Sequence, residues 1–201
     1  MKHVIGFGAL PAALALLAAQ PAWAAPTPLQ FQQAVIALHE KQIAQHAVKT
    51  KKVEQAYHGV AAARYRYVET SYIDAASGRL LSKVRRDAAK PHAVHIIEVN
   101  VHDDSGRVVR DYGSIAVPWA AQQPSISIIN VHQYNGALHS FRQFNLAGVV
   151  TYESCEGTID GRSVKISLDI TDITPQAAAT PDYQSCFNGV AVDATPFLTP
   201  F

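Results

Sequence analysis

The sequence predicts an α+β fold in which an N-terminal helix packs on a curved antiparallel β-meander of about eight strands. Three observations predict it. A capped run of helix-forming residues opens the domain, and from Val60 onward apolar and polar residues alternate with a period of two. Turn clusters that end in glycine separate the alternating runs, as expected for strands joined by hairpins. A helix followed by strands that are neighbours in sequence favours a sheet with one face covered by the helix.

Residues 1–24 have the pattern of a cleaved secretory signal peptide. A positively charged start precedes the apolar run 4–19, and Ala-Trp-Ala at 22–24 supplies the small residues that a signal peptidase recognises. The apolar run is short for a membrane span. We therefore expect cleavage before Ala25, a periplasmic or secreted protein, and no transmembrane segment after cleavage.

The first element of the mature chain is predicted to be a helix over residues 28–57, either continuous or in two parts. Thr27 can cap its N-terminus, Pro28 suits the first helical position, and Gln30 completes a capping box. An apolar stripe along this helix is formed by Phe31, Val35 and Leu38.

Strands are predicted to fill residues 60–170, which together with the helix form a single domain over 25–170. The clearest alternation sets Val164, Ile166, Leu168 and Ile170 against polar neighbours. The Asn135-Gly136 and Asp160-Gly161 pairs are typical of type I′ hairpin turns, because both central residues of that turn need positive φ. The eight predicted strands lie near 60–74, 79–86, 92–103, 106–117, 125–134, 137–145, 148–155 and 162–170.

The alternation stops after residue 170, and residues 171–201 are expected to form an irregular C-terminal tail. The chain has two cysteines, Cys155 and Cys186, and an exported protein passes through an oxidising compartment. A Cys155–Cys186 disulfide that ties the tail to the end of a strand is therefore predicted.

The charges are segregated along the chain. Residues 40–90 carry 11 basic and five acidic residues, whereas residues 91–201 carry five basic and 11 acidic ones. A basic surface for an anionic partner is one interpretation. The alternative, which we expect in a small domain, is that the two halves interleave and neutralise each other.

Histidine is the one reactive residue type in which the chain is rich. The hairpin around Asn135-Gly136 can bring His132 and His139 together, and with a carboxylate they could bind copper or zinc. No other cofactor is predicted. The alternative is that the histidines are surface or hydrogen-bonded core residues.

No catalytic constellation assembles from the sequence. There is no Gly-x-Ser-x-Gly elbow, phosphate loop or dinucleotide glycine pattern. The carboxylates Glu153, Glu156 and Asp160 could include a glycosidase pair, but an acidic, solvated turn is the simpler interpretation. A hydrolase with an unrecognised site is thus an alternative function, as is a metal-handling protein of the envelope.

The large amphipathic rings mark the predicted binding residues, which are Trp119, Tyr65, Tyr67 and Tyr134. For Trp119 the alternative, which is slightly favoured, is that its ring closes the end of the core. Trp and Tyr dominate binding hot spots because they bury much area with few rotatable bonds. The alternation Arg64-Tyr65-Arg66-Tyr67 also occurs in single-stranded nucleic-acid binders, but a strand with tyrosines inward and arginines outward explains it better. The sequence therefore predicts an exported, soluble, non-catalytic binding protein of the bacterial cell envelope, whose partner is a protein or small molecule and not a nucleic acid.

Overall fold

The computed structural model describes residues 25–58, 65–119 and 126–200, so the predicted signal peptide lies outside the described residues. The described helices are α1 (Pro28–Gln45), α2 (Pro175–Ala178), α3 (Pro181–Phe187) and a 3₁₀ turn (Thr195–Phe197). None of these helices is long and apolar enough to span a membrane. The strands are β1 (Val48–Ala56), β2 (Arg66–Asp74), β3 (Leu80–Asp87), β4 (Val94–His102), β5 (Val108–Ile115), β6 (Ile126–Asn135), β7 (Leu138–Phe144), β8 (Val150–Ile159) and β9 (Arg162–Asp169).

The nine strands form one antiparallel sheet in which spatial order follows chain order from β1 to β9. Each strand pairs with the next one in sequence, so the sheet is a meander. This arrangement confirms the predicted α+β class, with a helix before an antiparallel sheet. It has one strand more than the eight predicted.

The additional strand is β1, and it corrects the predicted extent of the first helix. The helix ends at Gln45 rather than near residue 57, and residues 48–56 pair with β2 along their whole length. Nearly every residue of β1 is exposed on both faces, so burial imposes no apolar alternation on its sequence. The strand is held by its backbone ladder, which a hydrophobic pattern does not report.

The main core lies between α1 and the middle of the sheet. The predicted capping box is present, with the Gln30 backbone N–H donating to Thr27 Oγ1 and the Thr27 N–H donating to Gln30 Oε1. α1 packs on β3 to β6. The predicted apolar stripe of α1 is buried against residues of five strands, β3 to β7. These residues are Val84, Ile97, Val99, Tyr112, Ile129 and Phe144.

The C-terminal segment is ordered into short helices, which corrects the predicted irregular tail. Thr174 and Thr180 cap α2 and α3, and each is followed by a proline at the first helical position. The Cys155–Cys186 disulfide is present, with Cα atoms 5.9 Å apart. A second apolar core forms where α3 packs on β7 and β8, and it buries Leu138, Val164, Tyr183, Phe187 and Val190.

Candidate functional site

The two faces of the sheet differ, because α1 and α3 pack on the same one. Strand register places the residues that these helices contact, such as Ser82 and Ser140, on a common face. We call the opposite side the helix-free face, since no helix in the described part of the chain covers it. The side chains directed to it include Gln55, Tyr67, Glu69, Arg85, Ile96, Asp111, Asn130, His132, Tyr134, His139 and Phe141.

Four rings meet at one end of the helix-free face, and we call Tyr57, Tyr65, Tyr67 and Trp119 the aromatic cluster. The centroid of Tyr57 lies 4.5 Å from that of Tyr67 and 4.8 Å from that of Trp119. Trp119 lies 5.9 Å from Tyr65. The rings converge because Tyr57 follows β1, Tyr65 precedes β2, and Trp119 follows β5. Three of the four predicted binding residues are thus brought together.

Trp119 is the exposed member of the aromatic cluster. Its residue surface is 41% exposed, whereas Tyr57 and Tyr67 are 9% and 6% exposed. The Trp119 ring meets Tyr57 edge to face, at an interplanar angle of 80°. Trp119 is therefore not buried in the core: Tyr57 and Tyr65 pack against its ring, and part of the residue is open to solvent.

Polar groups hold the buried rings of the cluster in place. Burial raises the pKa of Tyr57 to about 12, so its hydroxyl is protonated and can donate to His95 Nδ1 at 3.1 Å. Burial lowers the pKa of His95, whose Nε2 lies 3.6 Å from Asp87 Oδ2. Tyr67 donates to Gln55 Oε1 at 2.8 Å. These contacts position the rings without a ligand.

Tyr57 and His95 belong to the site but were not predicted. The predicted helix over 28–57 includes Tyr57, whereas the helix ends at Gln45. The prediction therefore gave no indication that Tyr57 lies beside Tyr65. The cross-strand hydrogen bond from Tyr57 N–H to Tyr65 O, at 3.1 Å, depends on β1 being a strand. His95 lies at a bulge between β3 and β4, which strict alternation does not reveal.

A second polar group on the helix-free face contains the two predicted metal ligands. His132 Nδ1 and His139 Nε2 are 2.9 Å apart, and His132 Nε2 lies 2.7 Å from Asp111 Oδ2. Asn130 donates to the other oxygen of Asp111 at 2.8 Å. The result is a line of hydrogen bonds from a carboxylate through two imidazoles. Tyr134, the fourth predicted binding residue, stacks on His139 at 4.6 Å rather than joining the aromatic cluster.

The hairpin that brings these histidines together differs from the predicted one. Asn135 pairs with Leu138, so the two-residue turn is Gly136-Ala137 rather than Asn135-Gly136. Gly136 has φ 58°, and positive φ at the first central position is typical of a type II′ turn. In this register Tyr134 pairs with His139. His132 lies diagonally across from His139 on the same face.

The contact between the histidines is a hydrogen bond that occupies one nitrogen of each ring. Each nitrogen in the 2.9 Å contact faces the other, and the remaining nitrogen of His132 is bonded to Asp111. Among the described residues, no group of three or more His, Cys, Asp or Glu side chains could hold a metal ion. Copper or zinc binding at His132 and His139 would require both rings to turn, and it remains a prediction.

The predicted acidic cluster separates in the structure. Glu153 is buried on the face that carries the helices and bonds to Arg142, whereas Glu156 is exposed on the helix-free face. Asp160 lies in the turn after β8 with φ 50°. Glu153 and Glu156 therefore cannot act together across a cleft.

Charge segregation along the sequence becomes segregation in space. Because the sheet order follows the chain, the described residues 48–58 and 65–87 form the end with β1 to β3, and β4 to β9 form the rest of the sheet. Glu40 and Lys41 lie in α1, which packs on β3 to β6. The expectation that the two halves interleave is therefore wrong for the sheet, where they lie side by side and meet at β3 and β4, with Lys83 opposite Glu98. The aromatic cluster lies at this basic end, because three of its rings come from the end of β1 and the start of β2: Tyr57, Tyr65 and Tyr67.

We expect acid to destabilise the fold in a pH window that begins near 6.5, the pKa of a free histidine side chain, and extends downward. Burial lowers the pKa of several histidines below the 6.5 of a free side chain, so the unfolded state binds more protons as the pH falls through this window. Their contribution to stability is complete above pH 6.5 and is lost as the pH falls through their folded-state pKa. Carboxyl groups with a lowered pKa change the free energy of unfolding only below about pH 4. The histidines concerned are His39, His95, His102 and His139.

Urea unfolding at a series of pH values measures this dependence. His39 is 2% exposed and shares a 2.8 Å hydrogen bond with Ser82 Oγ. His39→Gln should therefore reduce the slope of the free energy of unfolding against pH by the part that His39 contributes. A free energy of unfolding that stays constant from pH 7 to pH 5 would contradict the prediction.

No family model, curated protein or solved structure matches this chain. Its function is therefore argued from the site alone.

Proposed function

We propose that this chain is a non-catalytic binding protein of the cell envelope or the extracellular space, and that it binds an anionic glycan at the aromatic cluster. The observation that carries the proposal is the half-exposed Trp119 ring, supported by buried Tyr57 at the basic end of the helix-free face. The predicted signal peptide and the Cys155–Cys186 disulfide favour the location.

The aromatic cluster has the properties of a binding anchor. Large rings bury much area at low cost in conformational entropy, and here the supporting hydrogen bonds fix them in advance. The apolar faces of sugar rings pack well on exposed tryptophan. Arg85, which bonds to Glu69 at 2.7 Å and lies 5.1 Å from the centroid of Tyr67, adds a planar polar group beside the rings.

The charge of the neighbouring strand favours a negatively charged ligand. Lys49 and Lys51 lie on the helix-free face of β1, and both are exposed. β1 ends next to Tyr57, so these lysines line the path that an extended ligand would follow away from Trp119. Uronic acid carboxylates would pair with them, and that attraction would weaken with salt.

Trp119→Ala should abolish or strongly weaken binding to polygalacturonate, a linear polymer of uronic acid, with little change in stability. The ring is half exposed, so we expect a loss on the order of 1 kcal/mol in the free energy of unfolding, well below the roughly 3–5 kcal/mol typical of a buried aromatic. Binding is measured by titration calorimetry, and stability by urea unfolding.

Tyr152→Ala is the matched control, because Tyr152 lies on the same face at the far end of the sheet, next to β9. This variant should bind like the parent chain. Lys49→Glu with Lys51→Glu should weaken binding, whereas dextran, which is neutral, should bind weakly in every case. Polygalacturonate binding that survives Trp119→Ala, or no binding by the parent chain, would overturn the proposal.

A further inference from the structure

Strand β9 is an edge of the sheet with unused backbone hydrogen-bonding groups. It pairs with β8 and with no other strand in the described residues. Its hairpin turn is Asp160-Gly161, with φ 50° and 78°, so Ile159 and Arg162 flank a two-residue loop and bond to each other. From there bonding alternates along β9, and Ser163, Lys165, Ser167 and Asp169 direct their N–H and C=O groups away from β8. The Asp169 carbonyl oxygen already accepts from the Asp172 N–H at 2.8 Å and would use its second lone pair for an added strand.

The other edge of the sheet is protected, and β9 is not protected in the same way. β1 carries Lys49, Lys51 and Lys52 on an almost fully exposed strand, and lysines on an edge oppose strand addition. β9 has a single lysine, Lys165, and an aspartate four residues later. Its other face carries Val164, Ile166 and Leu168, and at the turn end Arg162, which is paired with Asp182 of α3.

The sequence of β9 is complementary to itself in the antiparallel direction, and we propose that two copies of this chain associate by pairing β9 with β9. The two-fold axis passes through Ser167. Lys165 then faces Asp169 of the second copy, and the reverse pair forms on the other side of the axis. These pairs use the outward backbone groups, and opposite charges directly across an antiparallel ladder stabilise it.

The apolar face of β9 matches in the same register. Ile166 faces Leu168 of the second copy, and Val164 faces its Ile170, which lies just past the strand and is 51% exposed. A groove of about 540 Å³ runs beside these residues and is bordered by Tyr183 of α3. The second strand would extend the apolar floor of that groove.

Alternative registers lose these matches. Moving the axis to Ile166 places Lys165 opposite Ser167 and removes both ion pairs. A slip of one residue brings the apolar face of one strand against the charged face of the other. The register through Ser167 is the one that satisfies charge and hydrophobicity together.

Analytical ultracentrifugation of the mature chain should show a species of twice the monomer mass that dissociates on dilution. Lys165→Asp and Asp169→Lys should each be monomeric, since like charges then face each other. An equimolar mixture of the two variants should recover the dimer, because both cross-strand pairs are again of opposite charge. The double variant Lys165→Asp with Asp169→Lys should also dimerise.

Ser167→Pro tests the backbone contribution. Its N–H points away from β8, so proline removes an intermolecular donor and leaves the internal ladder intact. Circular dichroism confirms that each variant is folded. A parent chain that stays monomeric at every concentration, variants whose mixture stays monomeric, or open-ended assemblies larger than a dimer would overturn the proposal.

Discussion

Replacing Arg142 by methionine should destabilise the fold by about 3–5 kcal/mol, because it leaves the Glu153 carboxylate buried without a counter-charge. Arg142 Nε donates to Glu153 Oε1 at 2.6 Å, and the two residues are 6% and 1% exposed. Tyr183 also donates to Glu153 Oε1, at 3.0 Å. A buried ion pair stabilises little in itself, but removing one partner is costly.

The same guanidinium holds the C-terminal segment on the sheet. Its Nη1 donates to the carbonyl oxygen of Val190 at 2.7 Å, and its carbon lies 5.4 Å from the Phe187 ring centroid. Arg142→Met should therefore loosen the segment after α3 as well as lower the free energy of unfolding. Urea unfolding measures the second effect, and hydrogen exchange measures the first.

Arg66→Met is the matched control. Arg66 and Glu54 form an ion pair of similar geometry at 2.8 Å, but their side chains are 60% and 51% exposed. Water solvates the remaining charge there, so we expect a loss below about 1 kcal/mol. Equal losses for the two arginine variants would show that burial does not determine the strength of these contacts.

The sheet was largely predictable from the sequence because most of its strands have one face buried. Period-two alternation arises only where the two faces meet different surroundings, as at Val164 and Ile166. β1 lacks that contrast and was assigned to a helix. The start of the helix was predictable from its cap. Its end was not, because no sequence signal marks His46, where the backbone becomes extended.

The candidate site was predictable in residue type but not in arrangement. Trp119, Tyr65 and Tyr67 were selected because of their ring chemistry, and they converge. Tyr134 is predicted on the same grounds and lies with His139 instead, because it belongs to β6, four strands away from β2. Strand register decides which rings meet, and it is fixed by backbone conformation that a single sequence leaves open.

The C-terminal segment shows a different limit. Residues 171–201 have too many Thr, Pro and Ala to display periodicity, yet Tyr183, Phe187 and Val190 are buried on the sheet. Short helices capped by threonine need few apolar residues when covalent and ionic contacts hold them. The disulfide was predictable from two cysteines, whereas the contacts of Arg142 depend on pairing across strands.

Removing the disulfide with Cys155→Ala and Cys186→Ala should lower the free energy of unfolding by about 3–4 kcal/mol, as expected for a cross-link that closes a loop of about 30 residues. Alanine is used instead of serine, because both positions are only 1% exposed and serine would bury a hydroxyl there. Urea unfolding of the oxidised parent chain and the variant measures the difference.

The disulfide should also act locally, because Cys186 lies in α3 and Cys155 lies in the sheet. Hydrogen exchange in the variant should rise first in residues 171–200, while β3 to β6 stay protected by the α1 core. Adding Arg142→Met removes a second anchor of the segment, so its hydrogen exchange should rise further while the sheet stays folded. Exchange that rises equally in α3 and β4 would mean that the segment unfolds only with the whole domain.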